Sequence, residues 1–103
     1  MTERRGFVLR VKPDRIDEYL EAHRHVWPEL LEALRAAGIR NYTIFRAGNE
    51  MFGYFESDDL ARAEDYLAAQ DVSTRWQDAM ADLLDERVPD EGPSPLEEVF
   101  RLD

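Results

Sequence analysis

Apolar positions change their spacing along this chain, and the changes mark its elements. From Gly6 to Val11 they alternate: Phe7, Leu9 and Val11 line one side, while Val8 lies on the other with Gly6 and Arg10. A period of two predicts a strand. From Ile16 the spacing lengthens to that of a helix face, with Tyr19, Leu20, His23 and Trp27 in one stripe. Lys12-Pro13-Asp14 opens this helix, because proline suits the first helical position, and Asp14 and Asp17 complement the positive end of the dipole. The helix is predicted to run to about His25. Pro28 interrupts it and starts a second short helix through Ala37, with Gly38 as its stop.

Ile39 to Phe45 and Met51 to Glu56 read as strands, joined through Ala47-Gly48-Asn49-Glu50 into a hairpin. Ser57-Asp58-Asp59 supplies caps for a helix from about Asp59 to Ala69, with Leu60, Ala63 and Leu67 on its apolar face. Ser73 is the expected cap of a further helix to about Leu84, which puts Trp76 in its first turn and turns Trp76, Met80, Leu83 and Leu84 inward. Asp85 to Pro95 reads as a loop and Leu96 to Leu102 as a last strand, with Val99, Phe100 and Leu102 as apolar members.

The order is therefore β-α-β-β-α-β with each helical region split in two. That pattern predicts an α+β, ferredoxin-like fold: an antiparallel sheet with helices on one face. The strands carry apolar residues on both faces, Phe52 and Tyr54 against Met51 and Phe55. A sheet covered on one side only alternates with polar residues on the other. A second subunit is the economical cover for the remaining face, so a homodimer joined through the sheets, a dimeric α+β barrel, is expected.

Composition narrows the function classes. A chain of 103 residues is expected to form a single domain, 1–103, with a real core. A net charge of −10 argues against nucleic acid, whose phosphates need clustered Lys and Arg, and against an anionic membrane surface. Without cysteine there is no disulfide framework, thiolate metal site or cysteine nucleophile. The charged N-terminus runs straight into a strand, with no signal peptide or membrane span in view, so a cytoplasmic protein is expected.

Few side chains are candidates for chemistry. Tyr19 and His23 are four residues apart and hence neighbours on one helix face. A histidine side chain, with an unperturbed pKa of about 6.5, both gives and takes protons near neutrality. Spacing alone leaves this imidazole either packed in the core or at work. His25 lies roughly 200° round the helix from His23, poor geometry for a shared metal. Trp27 and Trp76 are either core or a flat platform for the C–H face of a sugar ring. Tyr42 and Tyr54, at positions of equal parity on two strands, are expected to lean into one cavity. Asp58, Asp59 and Asp71 read as helix caps, and the other acids as a solvated surface.

Several fragments then stand in a telling order: Phe7-Val8, Val11, Pro13-Asp14, Glu18-Tyr19, His23, Trp27-Pro28-Glu29-Leu30, Asn41-Tyr42, Asp71-Val72, Arg75-Trp76, Met80, Leu96, Glu98-Val99-Phe100 and Leu102. In that order and spacing the chain resembles the L-rhamnose mutarotase family from about Phe7 to Leu102. The resemblance implies a ferredoxin-like domain that dimerises through its sheet and interconverts the α and β anomers of L-rhamnose, with no metal or organic cofactor. It implies that His23 is the catalytic proton donor and that Tyr19 and Tyr42 bind substrate. Trp76 matches the first of two adjacent tryptophans that contact the sugar. Gln77 stands in place of the second, which removes a stacking surface, adds an amide that hydrogen-bonds a hydroxyl, and bears on which sugar is preferred. The base is left unassigned. Two other classes share the scaffold or the residues: a dimeric α+β-barrel monooxygenase, either cofactor-free or haem-dependent with a helix histidine as ligand, and a non-catalytic small-ligand-sensing module.

Overall fold

The computed structural model describes residues 1–85 and 94–102, which form four strands and four helices. In chain order these are strand β1 (Glu3–Arg10), a 3-10 turn (Pro13–Arg15), helices α1 (Ile16–Arg24) and α2 (Pro28–Ala36), strands β2 (Arg40–Ala47) and β3 (Glu50–Ser57), helices α3 (Leu60–Ala68) and α4 (Asp71–Ala81), and strand β4 (Ser94–Leu96). The sheet is antiparallel throughout, in the order β2-β3-β1-β4. With helices packed on one face, this is the ferredoxin-like α+β arrangement. No helix among the described residues is long and apolar enough to cross a membrane.

Local chemistry explains most boundaries. Trp27 is extended (φ −56°, ψ 129°) ahead of Pro28, so α1 and α2 are separate helices and Pro28 occupies the first position of the second. Gly38 ends α2 in the left-handed region at φ +86°, and the next amide, of Ile39, donates to the Leu34 carbonyl at 3.0 Å. Gly48, at φ +62°, takes the first central place of the two-residue hairpin turn. The Asp59 carboxylate accepts from the Arg62 amide at 3.1 Å and caps α3.

Beneath the helices, Phe7 and Leu9 of β1, Val11, Met51 of β3, Tyr19 of α1 and Leu83 form the main core. Val11 and Met51 are fully buried, each contributing roughly 1.5–3 kcal/mol by leaving water. Gly53 makes this packing possible, since a Cβ there would stand 2.0 Å from Cζ of Phe7. A second cluster of Leu30, Ala33 and Val72 lies between α2 and α4, with Trp27 and Trp76 packed against it. The opposite sheet face carries Val8, Phe45, Phe52, Tyr54 and Leu96, which share rows of the ladder.

Four sequence expectations about helix ends are corrected. Helix α4 begins at Asp71, with Gln70 as its cap residue, so Ser73 is a buried residue inside the helix. The Gln70 carbonyl already accepts from the Ser73 and Thr74 amides at 3.1 and 3.3 Å, closing the first turn before Ser73 can cap it. Trp76 therefore stands in the second turn, and Asp71 is a first-turn residue bound to Arg75. Asp58 is not a cap either: its carboxylate accepts from Arg40 at 2.7 Å.

The last strand spans Ser94–Leu96 and not Leu96–Leu102. It pairs with Gly6 to Val8 of β1, beyond which the chain leaves the ladder and Glu98 reaches Arg4 at 3.5 Å. Val99, Phe100 and Leu102 are exposed. Apolar composition marks such a tail as strand-like, but a strand also needs ladder pairing, and β4 pairs with β1 only at Gly6, Phe7 and Val8. Of the expected loop from Asp85 to Pro95, residues 86–93 lie outside the described residues, and Ser94 and Pro95 belong to β4. The first strand starts at Glu3, ahead of Gly6.

Candidate functional site

The site forms where the main core meets the cluster between α2 and α4. Residues four apart on α1 present Tyr19 and His23 side by side. Tyr19 is 4% exposed, and its ring lies 4.2 Å from the imidazole at a tilt of 31°. His23 Nδ1 stands 2.8 Å from the Tyr19 backbone carbonyl. A carbonyl only accepts, so Nδ1 carries the proton and Nε2 is the nitrogen left for chemistry. The edge of Trp76 packs 5.4 Å away at 80°, which holds the imidazole between α1 and α4. The backbone carbonyl of Tyr19 thus orients His23, and its hydroxyl remains available.

Tyr42 approaches from the sheet, its ring 5.2 Å from Phe55 and 6.2 Å from Phe7. Among the described residues neither the Tyr19 nor the Tyr42 hydroxyl has a hydrogen-bond partner. Each hydroxyl is therefore open to a hydrogen bond from or to a ligand hydroxyl. Burial pushes the Tyr19 phenol well above its ordinary value, and the neighbouring Tyr42 adds to the shift. Burial likewise pushes Tyr42 up to about 12. Tyr42 as a whole is 42% exposed, so it stands at the mouth of the cluster and not inside the core. Both phenols are neutral at physiological pH, suited to hydrogen bonding and not to acting as phenolate bases.

Trp27 meets Trp76 edge to face at 5.1 Å. The Arg75 guanidinium lies 5.9 Å over Trp27 and binds Asp71 at 2.8 Å and Glu29 at 3.4 Å, tying the starts of α2 and α4 together. A surface groove of about 450 Å³ lies beside this clamp, lined by Glu29, Glu32, Asp71 and Arg75 among others. Arg75 there is already paired with Asp71 and Glu29. The Tyr19–His23 pair, with its oriented imidazole and a phenol that has no described partner, is the stronger mark of a ligand site.

The structure brings Tyr19, His23, Tyr42 and Trp76 to one region. Gln77 is exposed on α4, about 100° round the helix from Trp76, and makes no described contact with the cluster. Tyr54 does not share the cavity of Tyr42. In this hairpin odd-numbered residues face even-numbered ones, Thr43 opposite Tyr54, so residues of equal parity look away from each other. Tyr54 lies on the far face and donates its hydroxyl proton to Glu56. His25 is exposed and 3.1 Å from Glu21. Phe7 and Phe55, which wall Tyr42, were indistinguishable in the sequence from any other core aromatic, because only strand pairing selects them.

Comparisons with known proteins place the whole chain in a family. The sequence profile of the L-rhamnose mutarotase family matches residues 4–102. An L-rhamnose mutarotase of Pectobacterium atrosepticum is 41% identical over 97% of this chain and 98% of its own length. The crystal structure of an L-rhamnose mutarotase from Formosa agariphila superposes with a TM-score of 0.80 at 32% identity, covering 98% of this chain and 99% of that one. A putative antibiotic biosynthesis monooxygenase from Bacteriodes thetaiotaomicron shares the fold alone, with a TM-score of 0.64 at 12% identity over 98% of this chain and 90% of that one. With its sequence matched nearly end to end and its fold superposing on a solved member, the chain belongs to the L-rhamnose mutarotase family.

Proposed function

We propose that this protein interconverts the α and β anomers of L-rhamnose by acid–base-catalysed ring opening and reclosure at the Tyr19–His23–Tyr42–Trp76 site. The observation that carries the reading is the Tyr19–His23 pair. Its Nδ1 is tied back to a carbonyl at 2.8 Å, which leaves Nε2 for the substrate, beside a buried phenol with no described partner.

Protonated His23 gives its Nε2 proton to the ring oxygen while a base takes the proton of the anomeric hydroxyl. The bond from C1 to the ring oxygen breaks and C1 becomes a carbonyl. After rotation about C1–C2, the open-chain hydroxyl attacks the other face of C1 and returns its proton to Nε2, and the carbonyl oxygen regains a proton. Tyr19 and Tyr42, held neutral by burial, hydrogen-bond sugar hydroxyls. The Trp76 indole offers a flat wall to the sugar's C–H face, and the exposed Gln77 beside it in sequence is proposed to supply an amide to a sugar hydroxyl.

Positioned proton transfer contributes roughly 10²–10⁴-fold, enough for a reaction that already runs slowly in water. Saturation-transfer NMR on L-rhamnose tests the proposal. His23→Ala is expected to abolish catalysed anomer exchange while the fold persists. Undiminished exchange in that variant, or sugar binding to the wild type without acceleration, overturns it.

The protein is also proposed to work as a homodimer joined through the far face of the sheet. Phe45 there is 66% exposed and Phe52 37%, in one row with Val8, an apolar surface that a second copy would cover.

A further inference from the structure

We infer that Asn41 is the positioning residue that aims Tyr42 into the site, by holding a bulge in β2 that turns the strand over just before the tyrosine. The inference rests on the proposed role of Tyr42.

Strand alternation shows why such a device is needed. Arg40 pairs with Glu56, so its side chain lies on the far face of the sheet. Strict alternation from Arg40 would send Asn41 to the helix face and Tyr42 back to the far face. Ile44 packs into the main core, and counting back from it puts Tyr42 on the helix face, against Phe7 and Phe55. The two counts differ by one residue, and that residue is inserted here. The ladder runs regularly from Thr43 opposite Tyr54, and its register shifts between Arg40 and Thr43. One extra residue in a strand reverses every side chain beyond it.

Asn41 absorbs the insertion. Its φ of +54° is the sole left-handed value at a non-glycine residue among the described residues. Asparagine tolerates that region better than most side chains, and a β-branched residue tolerates it least. Three contacts pin the bulge. The Asn41 side-chain amide donates to Glu56 Oε1 at 2.9 Å, the Thr43 hydroxyl donates to the Asn41 carbonyl at 3.3 Å, and the Tyr54 hydroxyl occupies the other oxygen of Glu56. Glu56 thus braces from the far face a turn whose product is a tyrosine on the near face.

The test is a mutant cycle read by anomer exchange, with KM and kcat measured separately and thermal unfolding as a control. Asn41→Val, incompatible with the left-handed backbone, is expected to lower kcat/KM about ten- to a hundredfold, mainly through KM. Asn41→Gly loses the amide but keeps the backbone, and is expected to stay within a few-fold of wild type. In a Tyr42→Phe background Asn41→Val should cost little more, because the group it aims is already gone. Should Asn41→Val fail to fold, Asn41→Ala takes its place. A Gly variant as damaged as the Val variant, or a Val effect undiminished in the Tyr42→Phe background, overturns the positioning role alone. An unchanged KM in Tyr42→Phe itself overturns the proposed site and this inference with it.

Discussion

The two faces of the sheet are made by the same strands, residue by residue in alternation, yet they meet different fates. On the near face Phe7 is 7% exposed, rests on the bare backbone of Gly53 and touches Tyr42 edge-on. On the far face Phe45 is 66% exposed, in a row with Phe52 and Val8. The near face is closed by α1 to α4 except where Tyr19, Tyr42 and His23 keep polar atoms unpaired. The far face has the composition of a core and no described helix over it. Burial is thus nearly complete within one chain on the side that carries Tyr19, His23 and Tyr42. On the other side it calls for a second surface.

The largest expected effect lies on the near face. Phe7→Ala is expected to cost about 3–5 kcal/mol of stability, the range for emptying a large aromatic site in a closed core. It also removes a wall of Tyr42, so activity at low temperature should fall with stability. Chemical denaturation compares it with Phe45→Ala, and equal losses in the two variants would erase the distinction between the faces.

An alkaline ramp should separate them next. Tyr19 and Tyr42 bind their protons more tightly in the folded chain than in the unfolded one, where a phenol titrates near 10. Their contribution is fully present below about pH 10. It is lost as the pH rises through the folded values, about 12 for Tyr42 and higher for Tyr19. Denaturation midpoints measured across that range should fall less steeply in Tyr19→Phe. Parallel curves for the variant and wild type would show that the near-face phenols are not buried as described.

The smallest effect on the monomer is expected on the far face. Phe45→Arg should leave the fold and its intrinsic stability within about 0.5 kcal/mol, as for other exposed positions. It should nonetheless shift the mass seen by light scattering from dimer toward monomer. A wild type already monomeric at micromolar concentration would remove the far face as an interface.

Much of this architecture is carried by signals that act over a few residues. The Pro28 break, the Gly38 stop, the Gly48 turn and the Asp59 cap each depend on the φ preference or hydrogen-bonding reach of one side chain, and each stands where the sequence predicts. The Tyr19–His23 pair is legible for the same reason, since four residues of helix make neighbours whatever the rest of the chain does. Helix α4 shows the limit even of local signals. Ser73 has the chemistry of a cap, but Gln70 closes the turn first, and Ser73 is buried instead.

What the sequence determined, then, is the order of elements, the mixture of apolar residues on both strand faces, and a histidine and tyrosine on one helical stripe. Tertiary structure decided the rest. Pairing register parts Tyr54 from Tyr42, the bulge at Asn41 turns Tyr42 inward, and the ladder with β1 takes up Ser94–Leu96 as β4. The packing of α1 against α4 brings Trp76 to the imidazole. Register is a relation between distant segments, and a shift of one residue reverses a face without changing any local pattern.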